Sequence, residues 1–512
     1  MLKRIAVITL TSLTISVQPV PSQSPGAEAF STQNGPLIPR TWDDRELEDF
    51  ELPLADGSLK RTHVTSEYYY RLPERVIYRN YLVYAADREP AGYLERLRTL
   101  DPEIAFDASR LTSDEDWLRA GAIVFDAPKD YDGAFTVERM RDPRLLARVG
   151  VPIAADGTIP FVRYVIRKRG SIELGFSSCG TCHTRVMPNG STIKGAQGNF
   201  PFDRLAAETL FRDAPLQMLR SINRMLFAAP WVRDDPGARL DAMTREEITA
   251  AFAAVPPGVL ARQGTSVLHP PRIPDLIGVA ERKYLDSTGL NRHRGIGDLM
   301  RYSALNQTLD VLTRYNEFVP AAPDSKTLPA PGTSLFPGSA DRYSDAQLYA
   351  LARYVYSLQP PPNPHPFDAL ARRGQQVFAG NGCGTCHTPP LYTNNRITPA
   401  AGFSVPTDHH TRYDVLSIGV GTDPTLALST RRGTGYYKAP SLKGLWYRGP
   451  LEHNGSVATL EDWFDRARLR DDYVPTGFLG HDRKTRAVRG HEFGMDLSDN
   501  DKRALIAFLR TL

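Results

Sequence analysis

The sequence has almost no charge of one sign to spare. Sixty-two lysines and arginines face 58 aspartates and glutamates, a formal +4 over 512 residues. That balance excludes the strongly basic stripe with which a protein grips nucleic acid. Long apolar runs are missing as well, apart from Ile5 to Val17, and that one stops short of the roughly 20 residues a membrane-spanning helix needs. Cysteine is scarce, with four in the chain. Apolar residues at 41% and charged residues at 23% are ordinary, so wholesale disorder is excluded and real cores are expected. The length suggests two or three domains. Forty-one prolines and 39 glycines point to irregular segments shaped around something.

The N-terminus reads as an export signal. Lys3 and Arg4 precede the apolar run, and Ala27-Glu28-Ala29 offers a small-x-small cleavage site. Residues 1–29 are therefore expected to be a signal peptide. The mature chain, with no membrane span, is expected to be periplasmic or secreted.

The four cysteines are not spaced as a disulfide framework. Cys179, Cys182 and His183 form Cys-Gly-Thr-Cys-His, and Cys383, Cys386 and His387 form the same five residues again. Cys-x-x-Cys-His is the attachment signature of c-type haem. The two thiols bond to the haem vinyl groups, and the adjacent histidine is placed to give its Nε2 to the iron. A zinc ribbon would set its two knuckles about 15–20 residues apart, whereas these lie 204 apart. A dithiol redox pair has no need of the histidine. The reading is two covalently bound haem c groups, with His183 and His387 as proximal ligands.

An internal repeat orders the chain. Residues 343–358 (YSDAQLYALARYVYSL) match 497–512 (LSDNDKRALIAFLRTL) without a gap at an offset of 154. Ser344 with Gln347, and Ser498 with Asp501, have capping-box spacing, and the apolar residues that follow share one helical face. Upstream, 272–289 aligns with 438–455, pairing Pro274 with Pro440, Leu276 with Leu442 and Gly278 with Gly444. The domain reading follows: an N-terminal extension of unknown fold (30–165), a first cytochrome-c-like haem domain (166–358), a Pro-rich linker (359–366) and a second haem domain (367–512). The expected fold class is mainly α, with two such domains in tandem.

The second copy resembles the bacterial di-haem cytochrome c peroxidase and MauG superfamily. The resemblance is carried by GCGTCHTPPLYTNN (382–395), YKAPSLKGLWYRGPLEHNGSVATLEDWF (437–464) and the closing helix. It is weaker over 166–358 and absent before that. It implies two helical cytochrome-c-like domains with the haems on either side of their interface, and a reaction with hydrogen peroxide or dioxygen. The wide spacing of the haem motifs is reminiscent of the di-haem rubber-oxygenase branch. Where the family places a bridging tryptophan, this chain has Leu285, Asp286, Ser287, Thr288 and Gly289; Trp231 and Trp446 are the substitutes on offer. Of the family's calcium-binding Thr-x-Pro, Arg448-Gly449-Pro450 keeps only the proline, which argues against calcium.

Sixth ligands decide the chemistry, because an iron with two strong axial ligands transfers electrons while an open one binds oxygen or peroxide. For the second haem the distal candidate is His491, with Met495 as runner-up. The position 154 residues before His491 is Pro337, and no histidine or methionine occurs from Gly332 to Tyr343. The first haem is therefore expected to be open, unless His293, His269 or Met187 swings in. His453 is expected near a haem edge, and Lys438, Arg432 and Arg431 as propionate partners or as solvated residues. His63, His365, His409, His410 and His481 read as surface residues. The function expected is an exported di-haem c-type oxidoreductase with one catalytic and one electron-relay haem, served by a small redox protein. The rival is a non-catalytic electron-transfer cytochrome.

Overall fold

The computed structural model describes residues 36–133, 135–307, 309–323, 327–331 and 341–512. The expected signal peptide, and the stretch around Pro337 on which the open first haem was argued, lie outside the described residues. Residues 39–512 form a single unit. Four helices organise it: α1 (Asp114–Asp126), α2 (Asp345–Ser357), α3 (Ala369–Gly380) and α4 (Asp499–Arg510). The repeated segments are α2 and α4, and both start at the expected serine. Ser344 accepts from the Gln347 N–H while the Gln347 side chain accepts from the Ser344 N–H, a complete capping box. Ser498 accepts from the Asp501 N–H.

Each repeated helix packs on a partner, α2 on α1 and α4 on α3, and the two contacts are built alike. A Cβ added to Gly121 of α1 would lie 2.0 Å from Ala350 O and 2.6 Å from Tyr354 Cβ. One added to Gly374 of α3 would lie 1.9 Å from Ala504 O and 2.7 Å from Phe508 Cβ. Ala350 and Tyr354 are the residues that the repeat aligns with Ala504 and Phe508. Only glycine lets two helix backbones approach so closely. Helix α1, which the sequence reading left outside both copies, thus packs on the first copy as α3 packs on the second. A faint sequence trace exists: Arg119, Gly121, Val124 and Phe125 share their spacing with Arg372, Gly374, Val377 and Phe378.

From segments on both sides of α1 in sequence the chain builds a sheet that helical periodicity did not announce. Strands β1 (Asn80–Tyr84), β2 (Asp130–Tyr131), β3 (Thr158–Lys168) and β4 (Ser171–Phe176) lie in the order β1-β3-β4-β2, all pairs antiparallel. Register is fixed by Tyr81 opposite Tyr164 and by Tyr164 opposite Leu174. Thr158 to Ile166 are all buried, as expected of a β-branched and aromatic run covered on both faces. Helix takes 35% of the chain and strand 12%. The mainly α expectation is therefore corrected to a helix-rich mixed fold.

The N-terminal residues are pinned by one buried carboxylate. Glu51 is bonded to Arg61 and His63, each at 2.7 Å, and accepts from the Asn291 side-chain amide at 2.9 Å. Burial alone would raise its pKa, but Arg61 and His63 outweigh it and hold the carboxyl at about 2. A folded-state value below the ordinary 4.5 means that Glu51 stabilises the fold above that pH and loses its contribution as pH falls towards 2. Acid unfolding followed by circular dichroism should thus be shallower between these limits in Glu51→Gln than in the parent protein.

Candidate functional site

The first Cys-x-x-Cys-His motif is a single helical turn held by the sheet. Ser178 accepts from the Thr181 N–H at 3.1 Å, and the Thr181 hydroxyl donates to Phe161 O of β3 at 2.7 Å. Gly180 sits so close to Asp126, at the end of α1, that a Cβ would lie 2.5 Å from its carboxylate. The second motif is a 3-10 turn that follows α3. In both, the histidine N–H closes the turn on the first cysteine's carbonyl, at 2.8 Å for His183 and 2.9 Å for His387.

The upstream repeat now acquires a purpose. His183 Nδ1 lies 3.0 Å from Pro274 O, and His387 Nδ1 lies 3.1 Å from Pro440 O. A carbonyl oxygen only accepts, so Nδ1 carries the proton in each case and Nε2 keeps its lone pair. A carbonyl accepting from Nδ1 in this way orients metal-binding histidines and raises their basicity. Burial pushes His183 down to about 4 and lowers His387 too, so both rings are neutral at physiological pH. The four cysteines form no disulfide. Burial raises their thiols, to about 12 for Cys179 and Cys182.

The structure brings His491 to His387. Their ring centroids are 6.3 Å apart. Two imidazoles bound to one metal from opposite sides, at about 2 Å each, stand with centroids roughly 6 Å apart. Nδ1 of His491 is buried without a partner, and burial, then His387, pushes the ring down to about 4. The loop that carries it is clamped. His491 has φ of 48°, the left-handed region that side chains other than glycine rarely adopt. Arg468, 1% exposed, donates to Gly490 O at 2.9 Å, to His491 O at 3.0 Å and to Val488 O. Trp463 and Phe493 wall the ring, with centroids at 5.1 and 5.4 Å. Beside it opens a cavity of about 760 Å³ that runs from Asn381, two residues before Cys383, to Phe493. Met495 is buried, but it is the His491 ring that pairs with His387.

No second imidazole ring pairs with His183 among the described residues. His293 has both nitrogens taken, Nδ1 by Arg282 O at 2.7 Å and Nε2 by the Tyr356 hydroxyl at 2.6 Å. Burial pushes His269 down to about 4, against the opposing pull of Asp423. Met187 packs in an apolar cluster with Ile193, Ile277 and Trp446. Electrostatically coupled to Cys182 is a residue that the sequence did not single out, Asp203. It is buried, accepts from the Ala261 N–H at 2.8 Å, and is pushed by burial up to about 7. A carboxyl poised there holds or releases a proton near neutrality.

Several other expectations change. His409 is buried and bonds the Tyr436 hydroxyl at 2.8 Å, and His63 is held between Glu51 and Thr313, so neither is a surface residue. His365 and His410 are exposed, and His481 is half-buried. Arg431 and Arg432 are buried rather than solvated. Arg431 donates to Leu226 O at 2.5 Å, and Arg432 pairs with Asp286 at 3.0 Å. His453 stacks on Tyr437 at 4.3 Å with Nε2 on its hydroxyl, and its Nδ1 pairs with Glu452. Trp231 stacks on Tyr315, and Trp446 packs edge-on against Tyr447. The Gly449 and Pro450 carbonyls accept from Arg185 and Gln197.

No protein-family profile matches the chain, and no curated protein matches it in sequence. Among solved structures it is similar to a MauG-like protein associated with microbial copper homeostasis. The identity is 23% over 33% of this chain, with a TM-score of 0.21, and the match spans 55% of the other chain. It is also similar to hydrazine synthase from Kuenenia stuttgartiensis, at 13% identity and a TM-score of 0.28, covering 58% of this chain and 89% of that one.

Proposed function

We propose that this protein is an exported di-haem c-type oxidoreductase of the di-haem peroxidase kind. Cys383, Cys386 and His387, with His491 opposite, would hold a six-coordinate haem that relays electrons from a small redox protein. Cys179, Cys182 and His183 would hold the haem at which peroxide or dioxygen binds. The observation that carries the reading is the His387–His491 pair, two neutral rings 6.3 Å apart beside a cavity, with no such pair at His183 among the described residues. A bound haem supplies one-electron chemistry, reactive where one axial position is open.

The chain's own residues do the rest. Pro274 O and Pro440 O fix the tautomer of each attachment histidine and leave its Nε2 lone pair available, so that His183 and His387 would each hold an iron. Arg468 keeps the His491 loop from swinging away, which suits a relay that must change charge without changing shape. Asp203 stands by to give or take a proton near the first motif.

The test is to count haem against protein and to record absorption and electron paramagnetic resonance spectra, with and without peroxide and cyanide. Two haems are expected, one low-spin and one that shifts with either ligand. Alanine at Cys383 and Cys386 together should remove the low-spin haem alone. Two low-spin haems that ignore both ligands, before and after partial reduction, would make the protein an electron carrier.

A further inference from the structure

A small cavity of about 40 Å³ lies between the loops that grip the two attachment histidines, and Pro274 and Pro440 both line it. Its wall is unusual in charge. Arg272, Arg282, Lys438 and Arg448 all face it, against one carboxylate, Asp275. That carboxylate is already engaged. It accepts from the Tyr447 hydroxyl and from the Ile277 N–H, both at 3.0 Å, and stands 3.7 Å from Arg448 Nε.

The cations are poorly answered by the protein. Arg272 makes no side-chain hydrogen bond among the described residues; Arg448 donates from one terminal nitrogen to Ser441 O at 2.8 Å and to Lys443 O, while its Nε is buried without a partner. Lys438 Nζ has one, to Tyr284 O at 3.2 Å. Arg282 donates only to backbone carbonyls, Asp275 O and Ile277 O. Burial, reinforced by the neighbouring cations, pushes Lys438 down to about 7 and Arg272 to about 10. Four cations around one void, against one lining carboxylate that is already engaged, favour an added anion.

We propose that this cavity is an anion seat for carboxylate groups, formed by Arg272, Arg282, Lys438 and Arg448, and that haem propionates fill it in the loaded protein. The space holds about three water-sized groups, room for a carboxylate head reaching in from a larger group. Guanidinium groups match such a head in geometry as well as in charge. Internal cations then supply the positive charge at this seam.

The inference rests on the di-haem reading, and haem stoichiometry separates the two. If no haem is attached, that reading fails. With two attached, the seat is tested by the midpoint potentials of Arg272→Gln and the milder Lys438→Gln, each with and without added acetate. Loss of a cation beside the propionates disfavours the more negative, reduced state. The expected result is an unchanged haem count and a lower potential for at least one haem in both variants, with parent potentials that ignore acetate. Potentials unchanged in both variants would overturn the seat. Parent potentials that shift with acetate, and lose that response in Arg272→Gln, would overturn the propionate occupant in favour of a free carboxylate.

Discussion

Replacing His491 with alanine should convert essentially one haem's worth of low-spin signal into a form that binds added imidazole or cyanide, with both haems still attached. The loop is held by Arg468 through backbone carbonyls, so the substitution removes the ring and leaves its scaffold standing. What is lost is one side of an imidazole pair at 6.3 Å. A haem left with one strong axial ligand becomes high-spin and ligand-accessible. Electron paramagnetic resonance of the ferric protein reads the change directly. An unaltered low-spin spectrum would show that His491 is no ligand and would turn attention to Met495. Arg468→Gln should give a mixture of the two states, since the left-handed backbone at His491 then has less to hold it.

Gly374→Val should be the most destabilising single substitution among the helix glycines of the second copy. The added Cβ would lie 1.9 Å from the carbonyl of Ala504, a backbone atom that cannot turn aside. Helices α3 and α4 must then separate, and the cost is about 3 kcal/mol or more, the upper end of what overpacking exacts. Gly121→Val should do the same to α1 and α2. Gly380, at the end of α3, has nothing within 4 Å of the added carbon, so Gly380→Ala is the neutral control. Urea unfolding monitored by tryptophan fluorescence separates these cases. Equal midpoints for Gly374→Val and Gly380→Ala would contradict the close helix contact.

The sequence was most legible where a short motif fixes chemistry or a helix repeats. The two Cys-x-x-Cys-His runs, the serine caps at Ser344 and Ser498, and the alignment of Pro274 with Pro440 are all local patterns. The structure gives the proline pair its role as acceptors for His183 and His387. Illegible were features made by residues far apart in the chain. Helix α1 meets α2 across more than 200 residues, and only its Gly121 hints at it. Strand β3 is buried on both faces and so lacks the alternation that marks a half-buried strand. His63 and His409 sit among polar neighbours in sequence, yet tertiary partners bury both. Arg468 carries no motif, and the Arg272–Arg448 cluster shows in the sequence only as the basic positions that the upstream repeat shares, Arg272 with Lys438 and Arg282 with Arg448.

The two attachment motifs also differ in how accessible they are once the chain has closed. Gly180 and Thr181 are buried, with the Thr181 hydroxyl locked onto β3, whereas their counterparts Gly384 and Thr385 are half-buried and exposed. All four cysteines are half-buried, but the turn that carries Cys179 and Cys182 is packed against β3 and α1, so on the di-haem reading a vinyl group meets those thiols most easily while β3 and α1 are still apart. The second motif tolerates a later visit by the attachment machinery.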